Sequence, residues 1–267
     1  YFAWRRNDNG QVSLSTTYAT TKTVDDAIEA IKTMSPPWLL WVAFHAPHHP
    51  LEPPPLSLAT CDPQDGSNLS ITRAMLEAAD SELSRLLAAA GKETVVFVLG
   101  DNGSNGHTVG TPGRAKGSLY EPGVRVPLIV CGPGVVAGVS DGVTAAVDVP
   151  ATILDLAGAK IPARYDGVSF ASTLGGGAGP TRAVALCEQF DPLGAPISPR
   201  EWRRAAINKT HKLIAKLDNT TVPPGWTYEL YNLASDPNES IDLYPPTSPA
   251  DIAAFTQLSA FLTARRP

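Results

Sequence analysis

The 267 residues are 43% hydrophobic and 18% charged, enough apolar material for a sizeable core in a globular chain. A net charge of -5 argues against nucleic acid or an anionic membrane surface as partner, and no segment approaches the roughly 18–20 uninterrupted apolar residues of a membrane span. Three widely spaced cysteines, Cys61, Cys131 and Cys187, imply neither a disulfide framework nor a zinc pattern and read as small buried apolar residues.

In chain order, Thr23 reads as the N-cap of an amphipathic helix Asp25–Met34, with Asp25 and Asp26 as first-turn acids. Trp38–Ala43 reads as a buried strand, the proline-rich Leu51–Ser67 as a loop, and Ile71–Ala90 as a helix. Thr94–Leu99 is a continuous β-branched and aromatic run, the kind buried on both faces of a parallel sheet. Strand Val126–Val130 and a short helix Pro150–Leu156 follow, and Gly175–Pro180 marks a junction. Beyond it, Ala205–Asn208, His211–Lys216 and Tyr228–Leu233 read as antiparallel strands closed by a helix Pro249–Arg265. The fold class expected is α/β: a mainly parallel sheet flanked by helices over 1–175, then a small antiparallel sheet plus helix over 181–267.

The densest chemistry lies where Thr94–Leu99 ends, at Gly100-Asp101-Asn102-Gly103. Ligands collect at strand ends in α/β sheets, and Asp101 and Asn102 between glycines offer two adjacent hard oxygen donors for a cation. All three residue types also favour plain turns, so this run alone leaves both readings open.

The wider text narrows the choice. Val98-Leu-Gly-Asp-Asn-Gly103 with Gly113-Arg-Ala-Lys-Gly-Ser-Leu-Tyr-Glu-Pro-Gly-Val-Arg-Val-Pro127 resembles the second signature region of the type I sulfatases, in the alkaline phosphatase superfamily. Tyr18-Ala-Thr20, Val42–Leu51, Val147–Gly158, Asp166-Gly-Val-Ser169 and Tyr228–Leu243 resemble further blocks in the family's order. The resemblance implies Asp101 and Asn102 as ligands of a divalent metal, usually calcium, and Lys116 as the contact to the sulfate oxygens. It implies His48 as the group beside the sulfate ester that assists the leaving alcohol, with His45 and His49 near enough to confuse the register and His107 more simply an exposed loop residue. Tyr120, Glu121 and Arg125 match family positions as braces, Arg125 pairing a carboxylate and Glu121 capping backbone donors. Pro122 stands where the family commonly has glycine, which removes an amide donor there.

The family nucleophile, a Cys or Ser of a Cys/Ser-x-Pro-x-Arg motif oxidised to formylglycine, has no counterpart: Cys61-Asp-Pro-Gln-Asp65 and Cys131-Gly-Pro-Gly-Val135 lack the arginine. The start, without Met or signal-peptide order, reads as that of a fragment, and the chain resembles a carboxy-terminal sulfatase portion with apolar sheet edge exposed. The function implied is hydrolysis of a small-molecule or carbohydrate sulfate monoester, with formylglycine expected outside this chain. The alternatives are a non-catalytic or truncated sulfatase-like protein, or a phosphonate or phosphate ester hydrolase of the same superfamily. Compartment, oligomeric state and the alcohol half of the substrate are not legible in the residues.

Overall fold

The chain opens with a hairpin absent from the expected elements. Strands β1 (Trp4–Asp8) and β2 (Gln11–Ser15) pair antiparallel around Asn9 and Gly10, whose φ angles of 49° and 90° suit a two-residue turn matched to strand twist. The structure, a computed structural model, describes residues 1–61, 63–106, 113–177, 179, 181–191, 201–218 and 225–265. It divides into two compact units, Tyr1–Val96 and Phe97–Pro267.

In the first unit, helices α1 (Ala19–Thr33) and α2 (Asn68–Ala90) pack through Val24, Ala27 and Leu86, with Ile28, Ile31 and Leu83 around them. The expected N-cap at Thr23 is wrong: Thr23 lies inside α1 and donates its hydroxyl to the Ala19 carbonyl at 2.9 Å. The helix begins earlier because Ala19, Thr20, Val24 and Ala27 continue its buried stripe upstream, with no breaker between. Asp26 accepts from Arg6 and Lys22, and Asp25 accepts from Arg85 at 2.8 Å, so both are committed to ion pairs. Helix α2 also starts earlier than expected, capped by Ser67, whose hydroxyl accepts from the Ser70 amide at 3.2 Å.

The expected buried strand Trp38–Ala43 is not a strand. It keeps period-2 alternation, with Leu40, Val42 and Phe44 against the α1–α2 core while Leu39 and Trp41 are 71% and 79% exposed. It is assigned to no sheet ladder, so extended sequence preference has no neighbour to make it a strand.

In the second unit, β3 (Val96–Leu99) pairs with β4 (Leu128–Cys131) as a two-stranded sheet. β3 is half-buried throughout, not buried on both faces as its composition suggests. A mainly parallel sheet is therefore not found among the described residues; β1–β2 and the C-terminal sheet are antiparallel. Three short helices follow the chain: α3 (Glu121–Val124), α4 (Asp148–Leu156) and α5 (Ala171–Leu174). Asp148, buried at the start of α4, accepts from the Ala145 and Val168 amides and from Nε and Nη2 of Arg182.

The expected C-terminal antiparallel sheet is present and larger, in the order β5 (Ala185–Asp191), β6 (Glu201–Ile207), β7 (His211–Asp218), β8 (Gly225–Asn232). Helix α6 (Pro249–Thr263) covers one face: Leu258 and Leu262 pack on Ala206, Leu213, Ala215 and Leu230, each leucine contributing about 2 kcal/mol of burial. On the other face Leu119 packs with Ala205, Ile214 and Tyr231. Cys61 and Cys187 are partly buried and Cys131 is exposed, so buried packing does not describe Cys131; it lies at the end of β4, whose one partner strand among the described residues is β3. No helix among the described residues is long and apolar enough to cross a membrane.

Candidate active site

The run Gly100–Gly103 leaves β3 and is stitched to the chain that leads into β4. The Gly100 amide donates to the Pro127 carbonyl at 3.1 Å, Gly103 to Gly123 at 2.9 Å, and the Lys116 amide to the Ser104 carbonyl at 2.7 Å. The last bond ties the Lys116 loop directly to the Asp101–Asn102 loop, and the first two tie that loop to the segment that follows Lys116 into β4. Glycine is required at the crossing: a Cβ at Gly103 would lie 1.9 Å from the Pro122 carbonyl oxygen, and one at Gly123 would lie 2.5 Å from that of Ala115.

Asp101, Asn102 and Lys116 are all exposed. Asp101 Oδ1 accepts from the Asn102 amide at 2.8 Å, and Asn102 Nδ2 donates to the Gly103 carbonyl at 3.1 Å. The remaining oxygens, Asp101 Oδ2 and Asn102 Oδ1, are hard donors of the kind calcium or magnesium takes. Two donors fit part of such a site by chemistry and fall short of it by number. No cluster of three or more His, Cys, Asp or Glu able to hold a metal occurs among the described residues.

His48 belongs to the first unit, in an exposed turn closed by its own amide, which donates to the His45 carbonyl at 2.8 Å. Tyr1 Oη lies 2.8 Å from the carbonyls of both His45 and His48, with one O–H to donate between them, and burial pushes its phenol up to about 12. His48 Nδ1 lies 2.8 Å from the His49 carbonyl, a contact only a protonated Nδ1 satisfies, so Nε2 is the atom left to exchange a proton. His107 lies outside the described residues.

The braces are present with partners partly different from those expected. Tyr120 Oη donates to Glu229 Oε2 at 2.7 Å; burial and that carboxylate both raise its phenol pKa. Arg125 sits 3.6 Å from Glu121, as an Arg–carboxylate pair. Among the described residues Glu121 caps no backbone donor: its Oε1 meets Lys212 Nζ at 2.7 Å, and the capping carboxylate is that of Glu239, which accepts from the Glu121 amide at 2.6 Å. Pro122 is accommodated in the first turn of α3, where an amide would have no helical partner. Lys212 and Glu239 were not singled out in the sequence. The available signal for Lys212 was its place two residues before Ile214, on the same face of a strand whose centre, Leu213-Ile-Ala215, is apolar.

The fold compares with solved sulfatases. BT1596, a 2-O GAG sulfatase, aligns at a TM-score of 0.62 and 20% identity over 92% of this chain and 62% of its own. BT4656, solved with its substrate D-glucosamine-2-N,6-O-disulfate, aligns at 0.64 and 17% over 96% and 71%. The architecture is thus that of the sulfatases, with their alkaline phosphatase-like fold. Residues 2–159 match the family model for Sulfatase, and residues 115–265 match that for N-sulphoglucosamine sulphohydrolase, C-terminal. The chain belongs to the sulfatase family. It is 32% identical over 173 residues to a Sulfatase of Formosa agariphila, covering 57% of this chain and 29% of that one. It is 29% identical to Arylsulfatase A of Bos taurus, covering 67% and 40%. The chain therefore spans well under half the length of these curated relatives.

Proposed function

We propose that this chain forms part of a sulfuric ester hydrolase and contributes groups that hold a sulfate monoester. The reading rests above all on the backbone bonds from Gly103 to Gly123 and from Lys116 to Ser104, which bind the Asp101–Asn102 loop and the Lys116 loop together. Lys116 carries a compact positive charge on a braced loop, suited to sulfate oxygens that gain charge in the transition state. His48, with Nδ1 tied to a carbonyl, delivers a proton from Nε2 to the bridging oxygen of the departing alcohol. Asp101 and Asn102 would hold a divalent cation, calcium by the family's habit, which when bound supplies positive charge against the sulfate.

The attacking group in this reading is a formylglycine, and the 267 residues contain no Cys/Ser-x-Pro-x-Arg motif to form one. This chain alone is accordingly proposed to be inactive. Residues 1–175 then belong to the catalytic α/β layer, mainly parallel when its sheet is complete, and 181–267 to a small C-terminal subdomain. The ester is proposed to be a carbohydrate sulfate, the chemistry of the substrate held by BT4656. Incubation of the isolated chain with 4-nitrophenyl sulfate tests this: no nitrophenol is expected. Release that Lys116→Ala abolishes would overturn the assignment of the nucleophile to sequence outside the chain. Tighter binding of 4-nitrophenyl phosphate than of the sulfate would favour the phosphate-ester reading instead.

A further inference from the structure

β7 carries a lysine where an apolar residue is the rule. Along it Leu213 and Ala215 face α6, and Ile214 faces the opposite side with Leu119. Lys212 shares the Ile214 face by strand alternation and is wholly buried. Its Nζ lies 2.7 Å from Glu121 Oε1 and 2.8 Å from Glu239 Oε1, and Glu239 is wholly buried too. Removing two carboxylates and an ammonium from water costs more than their attraction reliably returns, so the cluster is weak evidence of stabilisation. Its geometry points to another role.

Glu239 holds the Lys116 loop at both ends. Its main-chain carbonyl accepts from Arg114 Nη1 at 2.5 Å, and its Oε2 accepts from the Glu121 amide at 2.6 Å. The Arg114 guanidinium also stacks 4.3 Å over the Tyr120 ring. Glu239 itself adopts φ 56°, a left-handed backbone that a non-glycine residue rarely takes unless its surroundings impose it. Between the two anchor points the chain turns through Ala115–Ser118, and Lys116 extends from the apex, exposed.

We propose that Lys212 and Glu239 are positioning residues for Lys116: the buried Glu121–Lys212–Glu239 bridge fixes the ends of its loop against the C-terminal sheet, and so fixes where the sulfate-holding charge stands. The proposal rests on the reading of Lys116 as a sulfate contact. It assigns the C-terminal sheet a part in ligand binding although that sheet supplies no contact itself.

The test uses the full 267-residue chain with two readouts, amide hydrogen exchange and calorimetric affinity for inorganic sulfate. The Lys116 amide, bonded to Ser104, reports the loop; the Val168 amide, bonded to Asp148 in the same unit, reports stability elsewhere. Glu239→Leu is expected to raise exchange at Lys116 and to weaken sulfate binding by about tenfold each, the factor that loss of one charge-assisted hydrogen bond allows, with Val168 unchanged. Glu239→Gln keeps an acceptor for the Glu121 amide and leaves Lys212 paired with Glu121, and is expected to restore both readouts to near wild type. Lys212→Met is expected to behave like Glu239→Leu; should it not fold, the Glu239 pair still decides. Equal acceleration at Lys116 and Val168 would make the cluster merely structural and overturn the proposal, as would failure of Glu239→Gln to restore binding. If wild-type sulfate binding is absent or survives Lys116→Ala while exchange responds as expected, the sulfate reading fails and the positioning role in binding fails with it.

Discussion

Gly103→Ala is the sharpest perturbation of the candidate site that leaves every polar side chain in place. The added Cβ would stand 1.9 Å from the Pro122 carbonyl oxygen and 2.7 Å from both Gly123 Cα and the Gly123 carbonyl carbon. All three are backbone atoms, so no side-chain rotation relieves the clash. The two loops must part by roughly 1.5 Å for the oxygen to reach ordinary contact near 3.4 Å, and the Gly103–Gly123 hydrogen bond cannot survive that. Overpacking costs about 1–3 kcal/mol and the lost bond about 1 kcal/mol, giving an expected destabilisation of about 2–4 kcal/mol. Gly138→Ala is the control, because a Cβ there meets nothing within 4 Å; it should change stability by less than about 0.5 kcal/mol. Urea unfolding monitored through tryptophan fluorescence measures both. A Gly103→Ala midpoint matching that of Gly138→Ala, with unchanged slope, would refute the tight crossing of the two loops.

Asp148 supplies a pH-dependent expectation. Burial pushes its carboxyl up, but the Arg182 guanidinium and the Val168 and Ala145 amides together hold it below the ordinary carboxylate range. A depressed folded pKa contributes stability that is present above the unfolded value near 3.9 and lost as pH falls through the folded value. Asp148→Asn should therefore lose about 3 kcal/mol at pH 7, and the gap to wild type should close in melts taken toward pH 2–3; a constant gap would contradict this. Ser248→Ala removes the hydroxyl that accepts from the Asp251 amide at the start of α6 and should cost about 1 kcal/mol in thermal unfolding. Leu39 and Trp41 leave an apolar strip facing solvent in the first unit, so the isolated chain should self-associate in light scattering, and the double change Leu39→Lys with Trp41→Lys should reduce it. Unaltered association would place the sticky surface elsewhere.

How far the residues disclose this molecule depends on where the controlling partner lies. Helices α2 and α6 carry their own signals, apolar spacing and a serine cap, and were placed nearly whole. The β1–β2 hairpin carries a local signal in Asn9-Gly10, short enough to be outweighed by the polar residues of both its strands. Trp38–Ala43 has the composition of a strand, but strand pairing is a property of two segments, and no second segment pairs with it among the described residues. Asp101, Asn102 and Lys116 were legible because they sit in a dense motif. The Lys212–Glu239 bridge was not, because its members meet Glu121 only after the sheet folds against the loop. Pro122 shows how context decides: the amide it removes is one that a helix start does not need.

The central claim, that Lys116 and the Asp101–Asn102 loop hold a sulfate ester, is tested most directly by calorimetric titration of the 267-residue chain with 4-nitrophenyl sulfate. The titration is run for wild type and Lys116→Ala. Saturable binding that weakens at least about tenfold in Lys116→Ala is expected, as loss of one charged contact implies. Binding of equal strength in wild type and Lys116→Ala would contradict it.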